Sequence, residues 1–147
     1  LSMGPFSKRI FSSLLFYPKA YLEQKPYVEV DVLHGSSLCI SKEAFLKTGG
    51  YDEEFFLYEE EKVIGQKLRR AGYKSYLCTI CSYLHEDSGS TKKSLKSLVQ
   101  RQKLRQQSEA LYARKYLHAN FLQMLFLRLV QAVILEETLF YSLLLSK

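Results

Sequence analysis

Apolar and polar residues alternate along YVEVDVL, residues 27–33, and this period of two predicts a half-buried strand. A second short strand, or a turn leading into one, is expected at 36–40, where Leu38, Cys39 and Ile40 run together. Ser41 then offers an N-cap to a short helix over 42–48 with Glu43 in its first turn. Gly49-Gly50 stops that helix, because glycines extend one only at a cost in backbone entropy. A longer helix is predicted over 59–71. Glu59, Glu60 and Glu61 open it, where the macrodipole favours negative charge, and Ile64, Leu68 and Ala71 give it one apolar stripe. Arg69 and Arg70 in its last turn, with Gly72 just beyond, form a stop signal. Residues 73–83 have high β-propensity and are expected to return to the sheet as a strand. A polar loop follows at 85–90, then a helix over 93–117 with Leu95, Leu98, Val99, Leu104 and Leu111 set among polar residues. The stretch 121–145 is the most apolar of the chain, and residues 1–21 are only weakly patterned.

Composition narrows the classes. A chain of 147 residues is one domain's worth, and its apolar content is that of an ordinary globular protein. No secretory leader is expected: 11–17 is apolar but short, and no small-residue cleavage site follows. Three cysteines are an odd count, which argues against a disulfide framework and for a reducing compartment. Cys78 and Cys81 form a CxxC, but inside an expected strand and with no second pair to complete a zinc site, so buried structural thiols are the better reading.

The net charge of +6 is concentrated in Lys92, Lys93, Lys96, Arg101, Lys103, Arg105, Arg114 and Lys115, against a lone Glu109. Such a segment can hold nucleic acid or anionic lipid, or be a solvated helix face. No helix-turn-helix, zinc-finger or RNP-like aromatic motif accompanies it, so nucleic acid is not expected as a partner. A bilayer crossing needs about 18–20 residues with few charges. Arg128 and the pair Glu136-Glu137 interrupt 121–145 and leave only 129–135 clean. The charges there fall at scattered angles around a helix, and docking or self-association is favoured over lying on a membrane surface.

The ordered set Gly35, the apolar 38–40, Gly49-Gly50-Tyr51-Asp52-Glu53, Phe55-Phe56, Tyr58, Glu60-Glu61 and Gly72-Tyr73, with His85 and Gly89-Ser90 further on, resembles the acceptor-side motif of family 2 glycosyltransferases with a GT-A fold. The pattern resembles that of bacterial polysaccharide and rhamnosyl-type transferases. The resemblance covers 28 to about 90 well and the remainder loosely. It implies an α/β protein: a partial GT-A mixed sheet with C-terminal helices, residues 1–90 forming the acceptor-binding half and 91–147 a helical extension. A complete GT-A enzyme also has a nucleotide-sugar half with an Asp-x-Asp metal motif. Asp31, Asp52 and Asp87 are the only aspartates here and no two are so spaced, so the chain is expected to be the acceptor half and inactive alone.

Inverting glycosyl transfer needs a base to take the acceptor's hydroxyl proton, and positive charge, normally a divalent metal, for the departing nucleotide diphosphate. By the resemblance Glu61 is the base and Glu60 its orienting or acceptor-binding partner. Many relatives carry Asp where Glu61 stands, a displacement of about a bond length in a geometry sensitive to it. Repulsion within the three glutamates should raise at least one pKa, and the helix dipole opposes part of the rise. Gly35, Ser36, Asp52, Glu53, Phe55 and Tyr58 are implied on the acceptor side. Asp52 would bond sugar hydroxyls or cap the Gly49-Gly50 turn, and Phe55, Phe56 and Tyr58 would stack on a sugar face or fill the core.

His85 is the implied ligand for Mn or Mg, with Glu86 and Asp87 adding field; a surface loop histidine is the plain alternative. The pattern does not single out His34, and His118 is expected on a helix surface. The implied partners are a nucleotide-sugar donor and a saccharide acceptor, in cell-surface polysaccharide assembly in the cytoplasm or at the inner face of the membrane. Against this stands a non-catalytic module that binds a partner or a membrane surface through the basic and apolar C-terminal helices, and in which the glutamates only face solvent.

Overall fold

In a computed structural model of the chain, residues 4–11, 17–55, 57–84 and 97–145 are described. They divide into two compact units, Tyr17–His85 on one side and Leu1–Phe16 with Glu86–Lys147 on the other. Among the described residues the fold is mixed α/β, with a small antiparallel sheet of two strands and several helices.

In the unit Tyr17–His85, α2 (Lys19–Leu22) precedes β1 (Tyr27–Val30), which pairs antiparallel with β2 (Ser75–Cys78) in the register Tyr27 to Cys78 and Val30 to Ser75. Val28 and Val30 are buried and Tyr27 and Glu29 exposed, so the two-residue period reads as expected. The strand is shorter than 27–33 because the Asp31 N–H donates to the Tyr17 hydroxyl at 3.0 Å. β2 is likewise shorter than 73–83: Thr79 N–H goes to the Pro26 carbonyl at 2.9 Å, and a proline offers no donor in return. At 36–40, where a strand or a turn leading into one is expected, the chain makes a 3-10 turn, Gly35–Ser37, whose start is capped by His34 Nδ1 accepting from Ser36 N–H.

α3 (Lys42–Lys47) starts where Ser41 Oγ accepts from Ala44 N–H at 3.2 Å. It stops at Gly49 and Gly50, whose φ of 71° and 64° are left-handed. α4 (Glu60–Arg70) ends in a Schellman motif, with Tyr73 N–H bonded to Leu68 O, Gly72 N–H to Arg69 O, and Gly72 at φ 86°. Ile64 and Leu68 of its stripe are buried with Ala44, and Leu38, Ile40, Phe45 and Tyr73 pack around them. Ala71 is only half-buried, while Val63 is fully enclosed. The thiols differ from expectation: Cys81 and Cys39 are exposed and Cys78 is half-buried, all free.

The other unit holds α1 (Pro5–Phe11), α5 (Leu98–Lys115) and α6 (Phe121–Leu145), so the weakly patterned N-terminus contains a helix. Glu137, one of the charges that break the apolar run, accepts from the N–H groups of Phe6 and Ser7 at the start of α1. The seam between α5 and α6 is polar. Gln106 and Gln131 exchange side-chain to main-chain bonds of 2.7 and 3.0 Å, and Gln131 Nε2 also donates to Glu109 at 3.2 Å. Among the described residues no helix is long and apolar enough to cross a membrane.

Candidate functional site

The chain enters α4 through Tyr58 and Glu59, both at φ 69°, a left-handed conformation that costs side-chain-bearing residues energy and clusters at functional sites. The three glutamates that follow have three different fates. Glu59 is buried and its carboxylate meets Lys62 Nζ at 2.8 and 3.0 Å, so its charge is balanced within the first turn. Glu60 is half-buried, and its Oε2 is enclosed with no hydrogen-bond partner among the described residues. Desolvation first, then the charges of Glu61 and Glu59, push its pKa up, against the pull of its own backbone N–H and of His34. Glu61 is held by a backbone donor: Gly35 N–H reaches its Oε1 at 3.1 Å. A Cβ on Gly35 would stand 2.8 Å from that oxygen, so glycine is what allows the approach.

A polar chain continues from Gly35. Ser36 Oγ lies 2.7 Å from His34 Nδ1 and bonds the Tyr83 hydroxyl. Nδ1 of His34 also accepts from Ser36 N–H at 3.2 Å. The structure thus groups Gly35, Ser36, Glu60 and Glu61 with His34 and Tyr83. His34 was signalled only by its place next to Gly35. Tyr83 lies 47 residues from Ser36 in sequence, and no local pattern announces such a contact.

The remaining expected residues sit differently. Asp52 Oδ1 accepts from Glu54 N–H at 3.2 Å and its carbonyl from Phe55 N–H at 3.0 Å, which makes it a turn residue. Glu53 is exposed, Tyr58 half-buried, and Phe55 is 6% exposed with its ring in the interior. His85 and Phe56 lie outside the described residues. Among those described, no group of three His, Cys, Asp or Glu side chains is placed to hold a metal ion.

A cleft of about 510 Å³ lies toward the other end of α4, between Tyr17, Tyr21, Asp31, Gly65, Arg69 and Lys74. None of the expected site residues lines it. Its charges are already paired, Arg69 Nη1 with Asp31 at 2.7 Å and Lys74 Nζ with Glu29 at 2.8 Å. The chemistry therefore points to the helix start, where one carboxyl oxygen lacks a partner and another is positioned.

Over 59 residues the chain is 37% identical to the N-acetylglucosaminyl-diphospho-decaprenol L-rhamnosyltransferases of Mycobacterium tuberculosis strains CDC 1551 and ATCC 25618 / H37Rv. That match takes in 40% of this chain and 19% of each relative, so the chain spans about a fifth of their length. No protein-family profile matches it, and no solved structure does. The chain carries a glycosyltransferase-like segment, by likeness over that short stretch.

Glu60 gives a prediction that needs no substrate. A carboxyl whose pKa is raised on folding costs nothing below its ordinary value of 4.5 and destabilises progressively as pH climbs through the folded value. Glu60→Gln should therefore raise the unfolding midpoint at pH 7, with the gain vanishing below about pH 4. Thermal melts of both proteins across pH check this; an equal difference at all pH values would contradict it.

Proposed function

We propose that the chain is the acceptor-side part of an inverting family 2 glycosyltransferase with a GT-A fold. It would move a sugar, rhamnose by the likeness, from a nucleotide-sugar donor to a hydroxyl of a saccharide acceptor. The observation that carries this reading is the pair at the start of α4: Glu61 oriented by Gly35 N–H, beside Glu60 with a raised pKa. A carboxylate that uses one oxygen for a backbone donor retains lone pairs for an acceptor hydroxyl. Glu61 would take that hydroxyl's proton as its oxygen attacks the anomeric carbon. The bond from that carbon to the diphosphate breaks, and the nucleotide diphosphate leaves with the electron pair. Glu60, neutral more readily than an ordinary glutamate, can donate a hydrogen bond to a second acceptor hydroxyl.

Donor binding would belong to further polypeptide carrying an Asp-x-Asp, and His85 would join its Mn or Mg. The setting is polysaccharide assembly at the cytoplasmic face of a membrane. The test is transfer of labelled rhamnose from its nucleotide donor to polyprenyl-diphospho-N-acetylglucosamine. The 147-residue chain alone should be inactive and a longer polypeptide containing it active. Absence of transfer by the longer polypeptide with this and other nucleotide sugars would overturn the proposal.

A further inference from the structure

α6 is a helix turned inside out. Gln131, Ile134 and Thr138 are its buried residues, Gln131 bonded to the polar seam of α5, while large apolar side chains on the opposite face are exposed. The outward residues are ordered: Leu122, Phe126, Leu129, Val133, Glu136, Phe140 and Leu143 follow one another at alternating steps of four and three. That is the heptad spacing of a coiled-coil seam, with one polar residue among seven. Leu122, Phe126, Leu129, Val133, Phe140 and Leu143 are between 59% and 72% exposed. Scattered charges hide the pattern at first sight, because Arg128 and Glu137 lie off the seam and only Glu136 lies on it.

We infer that this face pairs with α6 of a second copy of the chain, the two helices antiparallel. Three observations select that occupant. The 4-3 spacing is what helix-against-helix packing requires, and it persists over seven positions, about 32 Å of helix. The six apolar seam residues with flanking Phe121, Leu125 and Leu144 offer roughly 100 Å² each, about 900 Å² per copy, which matches one side of an ordinary specific interface of about 800 Å². Charge argues against an anionic membrane surface, since α6 carries one arginine and two glutamates where an interfacial helix carries a lysine- and arginine-rich polar face. Glu136 sets the direction. A parallel, in-register pair would oppose Glu136 to its own copy, whereas an antiparallel pair with the seams overlapped separates the two by about 10 Å along the axis. The interface is independent of the proposed transferase chemistry.

Sedimentation equilibrium of the 147-residue chain tests it. The wild type should sediment as two copies. Leu129→Glu, on an outward side chain, should raise the dimer dissociation constant at least about tenfold with unchanged far-UV helicity. Glu136→Leu should lower it several-fold. A wild-type chain that stays monomeric, whether or not it co-sediments with phosphatidylcholine–phosphatidylglycerol vesicles, overturns the inference. So does a dimer whose dissociation constant neither variant moves.

Discussion

Replacing Glu61 by glutamine should lower kcat for sugar transfer by about 10²–10⁴-fold in the polypeptide that carries this segment, with little change in KM or in the unfolding midpoint. Glutamine keeps the shape of the side chain, and its amide oxygen can still accept from Gly35 N–H, so the 3.1 Å contact and the local fold survive. Only the ability to receive a proton is lost. A structural role for Glu61 would give the opposite result, a lower midpoint with kcat unaltered in the protein that remains folded. Glu60→Gln separates the two carboxyls. A neutral amide in that place still donates and accepts hydrogen bonds, so its cost to kcat should be much smaller than that of Glu61→Gln. If the two losses are equal, or if Glu60 carries the larger one, proton transfer belongs to Glu60. Steady-state rates of the three proteins on one acceptor decide between these outcomes.

Signals that act within one turn of chain were legible in the sequence. Ser41 caps α3, Gly49 and Gly50 stop it, and Gly72 closes α4, because each depends on the residue's own side chain or φ. Strand lengths were not legible. Asp31 lies in an alternating pattern, yet its N–H is claimed by Tyr17 fourteen residues earlier, and no periodicity encodes that. The apolar seam of α6 was present in the sequence but obscured, because which face turns inward depends on the glutamines that α5 supplies.

The site was legible in the same uneven way. Glu60, Glu61, Gly35 and Ser36 were marked by the motif they resemble, and the structure places them together. His34 and Tyr83 join through Ser36, a link across 47 residues. Asp52 illustrates the converse: a short acid after two glycines serves a turn as naturally as a ligand, and here it accepts from Glu54 N–H. Repulsion among the three glutamates does raise a pKa, but burial is the larger cause, and burial is a tertiary quantity.

Gly65→Ala is the second large effect, and its sign runs against helix propensity. In the interior of α4 a glycine costs about 1 kcal/mol relative to alanine, so propensity alone predicts that alanine stabilises. The tertiary contact reverses this. A Cβ at residue 65 would lie 2.7 Å from the carbonyl oxygen of Asp31, a main-chain atom that cannot swing aside as the Glu61 carboxylate can from Gly35. To relieve the overlap, the strand exit at Asp31 must move off the helix. That movement strains the Asp31 bonds to Arg69 at 2.7 Å and to Tyr17 at 2.9 Å. The exposed Arg69 pair contributes little by itself, so the main cost is the lost packing of Val30, Val63 and Ile64. Overpacking against a main-chain atom costs typically about 1–3 kcal/mol, and in the upper part of that range it outweighs the roughly 1 kcal/mol that propensity returns. The unfolding midpoint should fall by roughly 5–15 °C for a unit of this size. The same shift pulls on Gly35, four residues along the chain, and thereby on the group that orients Glu61. Gly65→Ala should accordingly lower kcat even below its unfolding range, where the protein is still folded. A higher midpoint in Gly65→Ala would mean that the Asp31 backbone does not lie against α4, and that the approach of Gly35 to Glu61 is not fixed by it.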